Sequence, residues 1–417
     1  MKHKKLLLLL SVLALNLHST AQDTLRISLR KADSLFFHDN YYLLAASMNI
    51  EAKKAELVQA KLYPNPTVLA EVNAYDPENR KIFHAGQTGE KIFQLEQLLV
   101  LGGKRKSEIE MAKMHADIAA LEFQDLVRRL KYQLHKSLFA IGQQQLLLNK
   151  YNRQLTMLDT ILASYELQVQ KGNMPLKDLV RLKSGYLNLN NDRGELLKQY
   201  FDEQAAVQTV LRTHAVIIFS FTDEDIGNYI KQTPLDDLKA EALTSHPDLL
   251  IAQQDKALAD RYWRYQTQLA VPDLHLYSSY DQRGGAFANQ VNAGISLELP
   301  LWNRNQGNIR SAGYQAKQAG YSIRAKQQQI LVGLQNSYAL YTHTVHEYRK
   351  LNHLFNQDFE ITLKGMAENF QKRNISLIEF VDFFESYNLA MAEQARIKTQ
   401  LVSSAEQLNL SIGKDLY

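Results

Sequence analysis

The segment KADSLFFHDNYYLL at 31–44 is matched by KAEALTSHPDLLIA at 239–252, and that duplication decides the fold class. Lys31/Lys239, Ala32/Ala240, Leu35/Leu243, His38/His246 and Pro64/Pro272 coincide at a constant offset of 208 without a gap. Further on the offset falls to 200: Leu99/Leu299, Leu101/Leu301, Ile109/Ile309, Ala112/Ala312, Ala116/Ala316, Ala119/Ala319 and Ser137/Ser337. Lys171/Lys372 and Asn173/Asn374 then match at 201. A nearly fixed offset held this long marks an internal repeat. The drop of eight falls between residues 67 and 92, which makes that loop longer in the first copy.

Both copies follow one grammar, with the first spanning 22–233 and the second 234–417. Polar, Ala/Leu-rich stretches at 29–62 and 235–269 read as helix and end at Pro64 and Pro272, where proline stops helices. β-Hairpins follow at about 67–99 and 273–299. In the last strand Val291, Ala293, Ile295, Leu297 and Leu299 alternate with Asn292, Gly294, Ser296 and Glu298. Its counterpart sets Phe93 and Leu95 against Gln94 and Glu96. About nine to eleven residues with one apolar and one polar face suit a transmembrane strand, with Val291 to Leu299 facing lipid. A water-soluble hairpin packed on a core would alternate in the same way. After turns at 102–104 and 303–307, proline-free stretches at about 105–171 and 305–372 read as very long helices. At 1.5 Å per residue each rod is ~100 Å long. Return helices are expected at 176–212 and 377–411, so the chain is mainly α with a small β component.

The N-terminus reads MKHKKLLLLLSVLALNLHSTA: a basic start, an apolar run and small residues before a cut near Ala21. Residues 1–21 are thus expected to be a signal peptide, their apolar run being too short to span about 30 Å of hydrocarbon. Removing them deletes three lysines and no acid, which lowers the net charge from +4 to +1 and takes the electrostatic support from nucleic-acid binding. The chain has no cysteine, which excludes disulfides, thiolate metal sites and a lipid anchor on cysteine. No later stretch offers ~18 uninterrupted apolar residues, so any membrane span must be a closed barrel. One chain supplies four strands, and even small barrels need about eight. The chain must therefore oligomerise: three copies give 12 strands and 12 helical columns, and two copies would give eight strands.

Several segments resemble the TolC-like outer-membrane efflux proteins. ISLRKADSLFFHDNYYL (27–43) and PLDDLKAEALTSHPDLL (234–250) are similar to the helix that opens each family repeat. LLVLGGKRKSEIEMA (98–112) resembles the strand exit, with the Gly-Gly-Lys-Arg turn nearest the cation-efflux branch. VQKGNMPLKDLVRL (169–182) and FQKRNISLIEFVDF (370–383) resemble the two hairpins at the family's periplasmic end. The resemblance covers the whole mature chain. It implies a homotrimer with a 12-strand barrel in outer-membrane lipid and a 12-column helical tunnel through the periplasm. It further implies docking to a periplasmic adaptor (membrane fusion) protein and an RND-type inner-membrane pump, in a tripartite efflux system that exports metal cations or drugs.

Site residues carry over one at a time. Gly172 matches a family glycine at the adaptor-facing turn, so Gly172, Asn173, Arg373 and Asn374 are the expected docking tips. Asp178 falls on the constriction aspartate, Phe370 on a frequent tyrosine, and Glu379 and Asp382 on acidic positions near the closed end. Together these four are the expected periplasmic aperture. Two departures are Arg373 where glycine is expected and Ile375 in place of a latch arginine.

No phosphate loop, Gly-x-Ser-x-Gly elbow or His-Glu-x-x-His motif is present, so no enzymatic constellation and no cofactor is expected. His343 and His346 share a helix face and could pair on a metal, but read more simply as polar rod residues. The acids in helix first turns could equally serve the helix dipole. Trp302, just past a strand end, suits either an aromatic girdle or ordinary packing. A periplasmic coiled-coil scaffold would explain the rods and leave the duplicated hairpins without a purpose.

Overall fold

The computed structural model describes residues 23–283, 285–354 and 358–416. The segment expected to be the export signal lies outside the described residues. Contacts divide the chain into two units. The first comprises residues up to Leu44, Val127–Ala242 and Val332 onward; the second comprises Ala45–Leu126 and Leu243–Leu331.

The described elements run in the following order. Strand β1 (Thr24–Ile27) precedes helices α1 (Leu29–Asp39) and α2 (Tyr41–Ala60). Then come β2 (Thr67–Val72), a small hairpin of β3 (Tyr75–Asp76) and β4 (Lys81–Ile82), and β5 (Lys91–Leu99). Helix α3 (Lys104–Gln170) has 67 residues and α4 (Leu176–Leu211) has 36. The second copy follows β6 (Val216–Phe219) and α5 (Asp223–Gly227), and opens with α6 (Leu235–Ser245). It continues with α7 (Pro247–Gln268), β7 (Leu274–Asp281), β8 (Gln290–Leu297), α8 (Gln306–Leu354), α9 (Asp358–Gln371) and α10 (Leu377–Ile412).

Two expectations are revised by this order. The stretch 29–62 is two helices, because Asn40 takes an extended backbone and its amide is committed elsewhere. Its Oδ1 accepts from Leu43 N at 3.1 Å, and its Nδ2 donates to the Val210 carbonyl at 2.8 Å. The stretch 235–269 likewise divides at His246, whose Nδ1 accepts from Asp248 N at 3.2 Å as an N-cap. Pro247 then occupies the first helical position, where its missing N–H costs nothing. The second long rod is described as α8 and α9, with 355–357 between them outside the described residues.

The second unit is built on an antiparallel sheet in the order β2-β5-β7-β8. Its register decides which residues share a face. Leu95 pairs with Val68 and Ser278, and Phe93 with Ala70 and Tyr280. Ala293 pairs with Ser278, Ile295 with Leu276, and Leu297 with Leu274. Alternation therefore gathers Val68, Leu95, Phe93, Leu276, Ile295 and Leu297 on one face. Glu71, Gln94, Glu96, His275, Asn292 and Ser296 occupy the other. Helices of the same unit join in the same order as the strands. Arg105 of α3 donates to the Lys61 carbonyl at the end of α2. The Tyr265 hydroxyl of α7 donates to Glu108 of α3 at 2.7 Å. The Asn305 amide at the start of α8 donates to the Gln266 carbonyl at 2.8 Å.

In the first unit, a parallel pair joins β1 to β6, from Thr24↔Val216 to Ile27↔Phe219. Neither strand was visible in the sequence reading. Each has four residues, and their partners lie about 190 positions apart, so nothing local announces them. A run of buried residues on α3, Leu147, Tyr151, Leu155 and Leu158, meets Leu182 and Leu189 of α4 and Phe380, Phe384 and Tyr387 of α10. Spacings of three and four put such residues on one stripe of each helix, which is the seam of a coiled coil.

Candidate channel wall and periplasmic tips

The sheet offers a surface of the kind a barrel wall needs. On its apolar face Val68, Val291 and Ile295 are 71%, 72% and 64% exposed within one chain. That much exposed aliphatic surface on a strand needs an apolar environment or a partner. The opposite face carries a hydrogen-bonded pair, with His275 Nδ1 2.6 Å from Glu96 Oε1. Leu299 and Trp302, just beyond β8, are 66% and 87% exposed. Among the described residues, β2 and β8 have no partner on their outer edges, so the sheet ends in two open ladders. No helix of the described residues is long and apolar enough to cross a membrane.

The turn from sheet to rod is built by Asp273. Its Oδ1 accepts from Leu101 N and lies 2.8 Å from Lys104 Nζ. Gly102 and Gly103 between them have φ of +69° and +78°, and a Cβ on Gly102 would lie 2.9 Å from the Val271 side chain. Glycine is the one residue that accepts both conditions. At the other end of the sheet, the longer loop of the first copy is ordered by two clasps. His84 Nδ1 lies 2.6 Å from Asp76 Oδ2, and the Gln282 amide donates to the carbonyls of Gly86, Gln87 and Gly89.

The two tips are built alike. At the first, Gly172 has φ +74°, and Asn173 Nδ2 donates to Gln168 Oε1 at 2.8 Å. At the second, Arg373 has φ +62°, and Asn374 Nδ2 donates to Asn369 Oδ1 at 3.0 Å. Asn173 N and Asn374 N also donate to the carbonyls of Gln168 and Asn369, both at 2.9 Å. Arg373 therefore occupies the left-handed conformation that Gly172 occupies in the first copy, at a steric cost glycine does not have. Replacing Arg373 with glycine is expected to stabilise the fold by about 0.5–1 kcal/mol. A raised melting temperature with intact assembly is the expected readout, and destabilisation would show that the arginine side chain holds the tip.

The acidic residues near the tips play different parts within one chain. Ser376 and Glu379 form a reciprocal cap: Ser376 N donates to Glu379 Oε2 at 2.7 Å, and Glu379 N donates to Ser376 Oγ at 3.2 Å. These bonds, from the Ser376 backbone first, hold the Glu379 carboxyl below its ordinary pKa. Asp178 sits in the first turn of α4, half-buried, and Asp382 stands exposed on the second turn of α10. Phe370 is only 6% exposed. It stacks on Phe380 at 4.6 Å and on Tyr165 at 5.7 Å, so within one chain it belongs to the core behind the tip. Ile375 lines a cavity of about 520 Å³ beside that stack, together with Tyr165, Met174 and Arg373. Among the described residues no group of three His, Cys, Asp or Glu side chains could hold a metal ion, and His343 and His346 are both exposed on α8.

A buried cluster that the sequence reading missed lies in the first unit. His135 of α3 places Nδ1 2.6 Å from Glu406 Oε1 and Nε2 2.7 Å from Asp33 Oδ1. The Tyr229 hydroxyl donates to the same Glu406 oxygen at 3.1 Å. Burial disfavours the imidazolium, but the bonds to Asp33 and Glu406 outweigh it and lift the His135 pKa to about 9. The only sequence signal is a lone histidine within a helix, with partners more than 100 positions away on either side.

A β-hairpin continued by very long helices, twice over in one chain, with the two hairpins joined in one four-stranded antiparallel sheet, is the fold of the TolC-like outer-membrane channels. The CmeC outer membrane channel of Campylobacter jejuni superposes with a TM-score of 0.76 at 13% identity, over 92% of this chain and 85% of that one. CusC, solved to follow folding and transmembrane channel formation, gives 0.75 at 15% identity over 96% of both chains. In sequence, the cobalt-zinc-cadmium resistance protein CzcC of Cupriavidus metallidurans is 23% identical over 297 residues, 70% of this chain and 68% of that protein. No family model matches the chain.

Proposed function

We propose that this chain forms, as a homotrimer, the outer-membrane exit duct of a tripartite efflux system and performs no catalysis. The observation that carries the reading is the sheet with one apolar face, one polar face and two open edges. Four strands cannot close, and three copies supply the 12 of a closed barrel with no edge left in lipid. The polar face, with Glu96 and His275, then lines the lumen and the apolar face meets the outer-membrane lipid. The rods extend into the periplasm, and the tips at Gly172–Asn173 and Arg373–Asn374 receive a periplasmic adaptor that links the duct to an inner-membrane pump of RND type. The likeness to CzcC favours metal cations as cargo.

Threefold symmetry would gather Asp178 and Asp382 of each copy at the periplasmic mouth. Rings of carboxylates favour cations and exclude anions. Glu379 is committed to its cap and contributes less. Planar-bilayer recordings of the purified trimer test the reading: a low-conductance, cation-preferring state blocked by millimolar divalent ions from the periplasmic side is expected. In the Asp178→Asn, Asp382→Asn double variant the block should disappear and cation preference should fall. Unchanged reversal potential and unchanged block would discard the acidic mouth, and absence of any conductance would discard the duct.

A further inference from the structure

Helix α2 carries two stripes of heptad spacing on opposite sides, and its own chain uses only one. Ile50, Lys53, Leu57 and Ala60 are partly covered. Ala45, Met48, Ala52, Ala55 and Gln59, spaced alternately by three and four, are all exposed, Met48 to 63%, as is Leu62 just past the helix end, to 56%. The start of α8 has the same construction. Ala312 and Ala316 are buried on the side of α7, where Lys326 reaches Asp248 at 3.3 Å. On the opposite side Gly307, Ser311, Tyr314, Gln318, Tyr321 and Ala325 are exposed at spacings of four and three. Tyr314 and Tyr321 are 70% and 71% exposed.

A heptad stripe is the pattern by which a helix packs on another helix, and a solvated face has no need of it. Three features of the second unit say which helix. Strand β2, which α2 enters, and strand β8, which α8 leaves, are the two open edges of the sheet. The helices follow the order α2-α3-α7-α8, so the helical layer is open at the same two edges. The stripes differ in bulk in a complementary way when both are read outward from the sheet: Leu62 falls opposite Gly307, Ala55 opposite Tyr314, and Met48 opposite Tyr321.

We propose that α2 of one copy packs antiparallel on the start of α8 of a second copy, with Ala55 against Tyr314 and Met48 against Tyr321. The contact continues the β2–β8 seam into the helical layer, and each tyrosine ring fills the space left by a smaller side chain or lies on the Met48 thioether. The inference rests on the ring-forming reading above and specifies the surface by which neighbours meet.

The absence of cysteine allows a clean test in the full-length chain. Copies carrying Ala55→Cys and Tyr314→Cys, oxidised with copper phenanthroline in isolated outer membranes, should yield reducible species of two and three chains on a denaturing gel. Met48→Cys with Tyr321→Cys should do the same, and each single-cysteine variant should stay monomeric on the gel. If both pairs stay monomeric while mass measurement shows a trimer, the helix seam is wrong and the duct stands. A monomeric mass for the unaltered chain overturns both.

Discussion

Arginine at Ile295 is expected to abolish assembly into the outer membrane, whereas arginine at the adjacent Ser296 is expected to be tolerated. Ile295 shares a face with Leu276 and Leu297, and Ser296 shares the opposite face with His275. A charge on a lipid-facing strand position near the midplane costs about 2–4 kcal/mol, and a lumen-facing charge keeps its water. The effect is compounded because each substitution appears three times in a trimer. Heat-modifiable migration of the membrane fraction reads the outcome. Equal loss at 295 and 296 would mean that both faces are packed, as in a water-soluble sheet.

The second large effect is expected at His135. Its imidazole stands between Glu406, 4% exposed, and Asp33, and the Tyr229 hydroxyl completes the set. Around it lie Lys131, which pairs with Asp415, and Asp225 on α5, near Tyr229. Removing the ring by His135→Ala leaves the buried Glu406 and the half-buried Asp33 without their cation and should cost about 3–5 kcal/mol. The pH dependence has a fixed sign. Because the folded pKa, about 9, lies above the ordinary 6.5, the contribution is complete below pH 6.5. It is lost as pH rises toward 9, with an integrated size on the order of 3 kcal/mol. Melting temperature should therefore fall between pH 7 and 9.5 in the native protein and be flatter there in His135→Ala. A native profile flat across that window would mean the imidazole is neutral in the folded state.

What could be read in the sequence was whatever repeats or alternates. The 208 and 200 offsets located both hairpins and the 201 offset both tips, and strict alternation over Val291–Leu297 separated the faces that the register of β7 and β8 then paired. Breaks set by one residue were harder. Asn40 ends α1 through a bond to Val210, which no local pattern contains, and His246 with Pro247 restarts a helix within a stretch otherwise suited to continue it. Arg373 was legible as a departure from Gly172, but only its φ of +62° shows that the backbone kept the glycine conformation. Among the aperture residues, Ser376 and Glu379 have the spacing of a capping box, and the structure uses it. Phe370 could not be placed from its motif, because its burial depends on Tyr165 and Phe380 arriving from other helices. The His135 cluster joins residues from four distant segments and had no sequence signature.

The central claim is that one chain carries a third of a barrel, and stoichiometry tests it most directly. Native mass measurement of the detergent-extracted outer-membrane protein should give three copies of the mature chain and no populated membrane-inserted monomer. A stable inserted monomer, or a particle of two chains, would contradict the account.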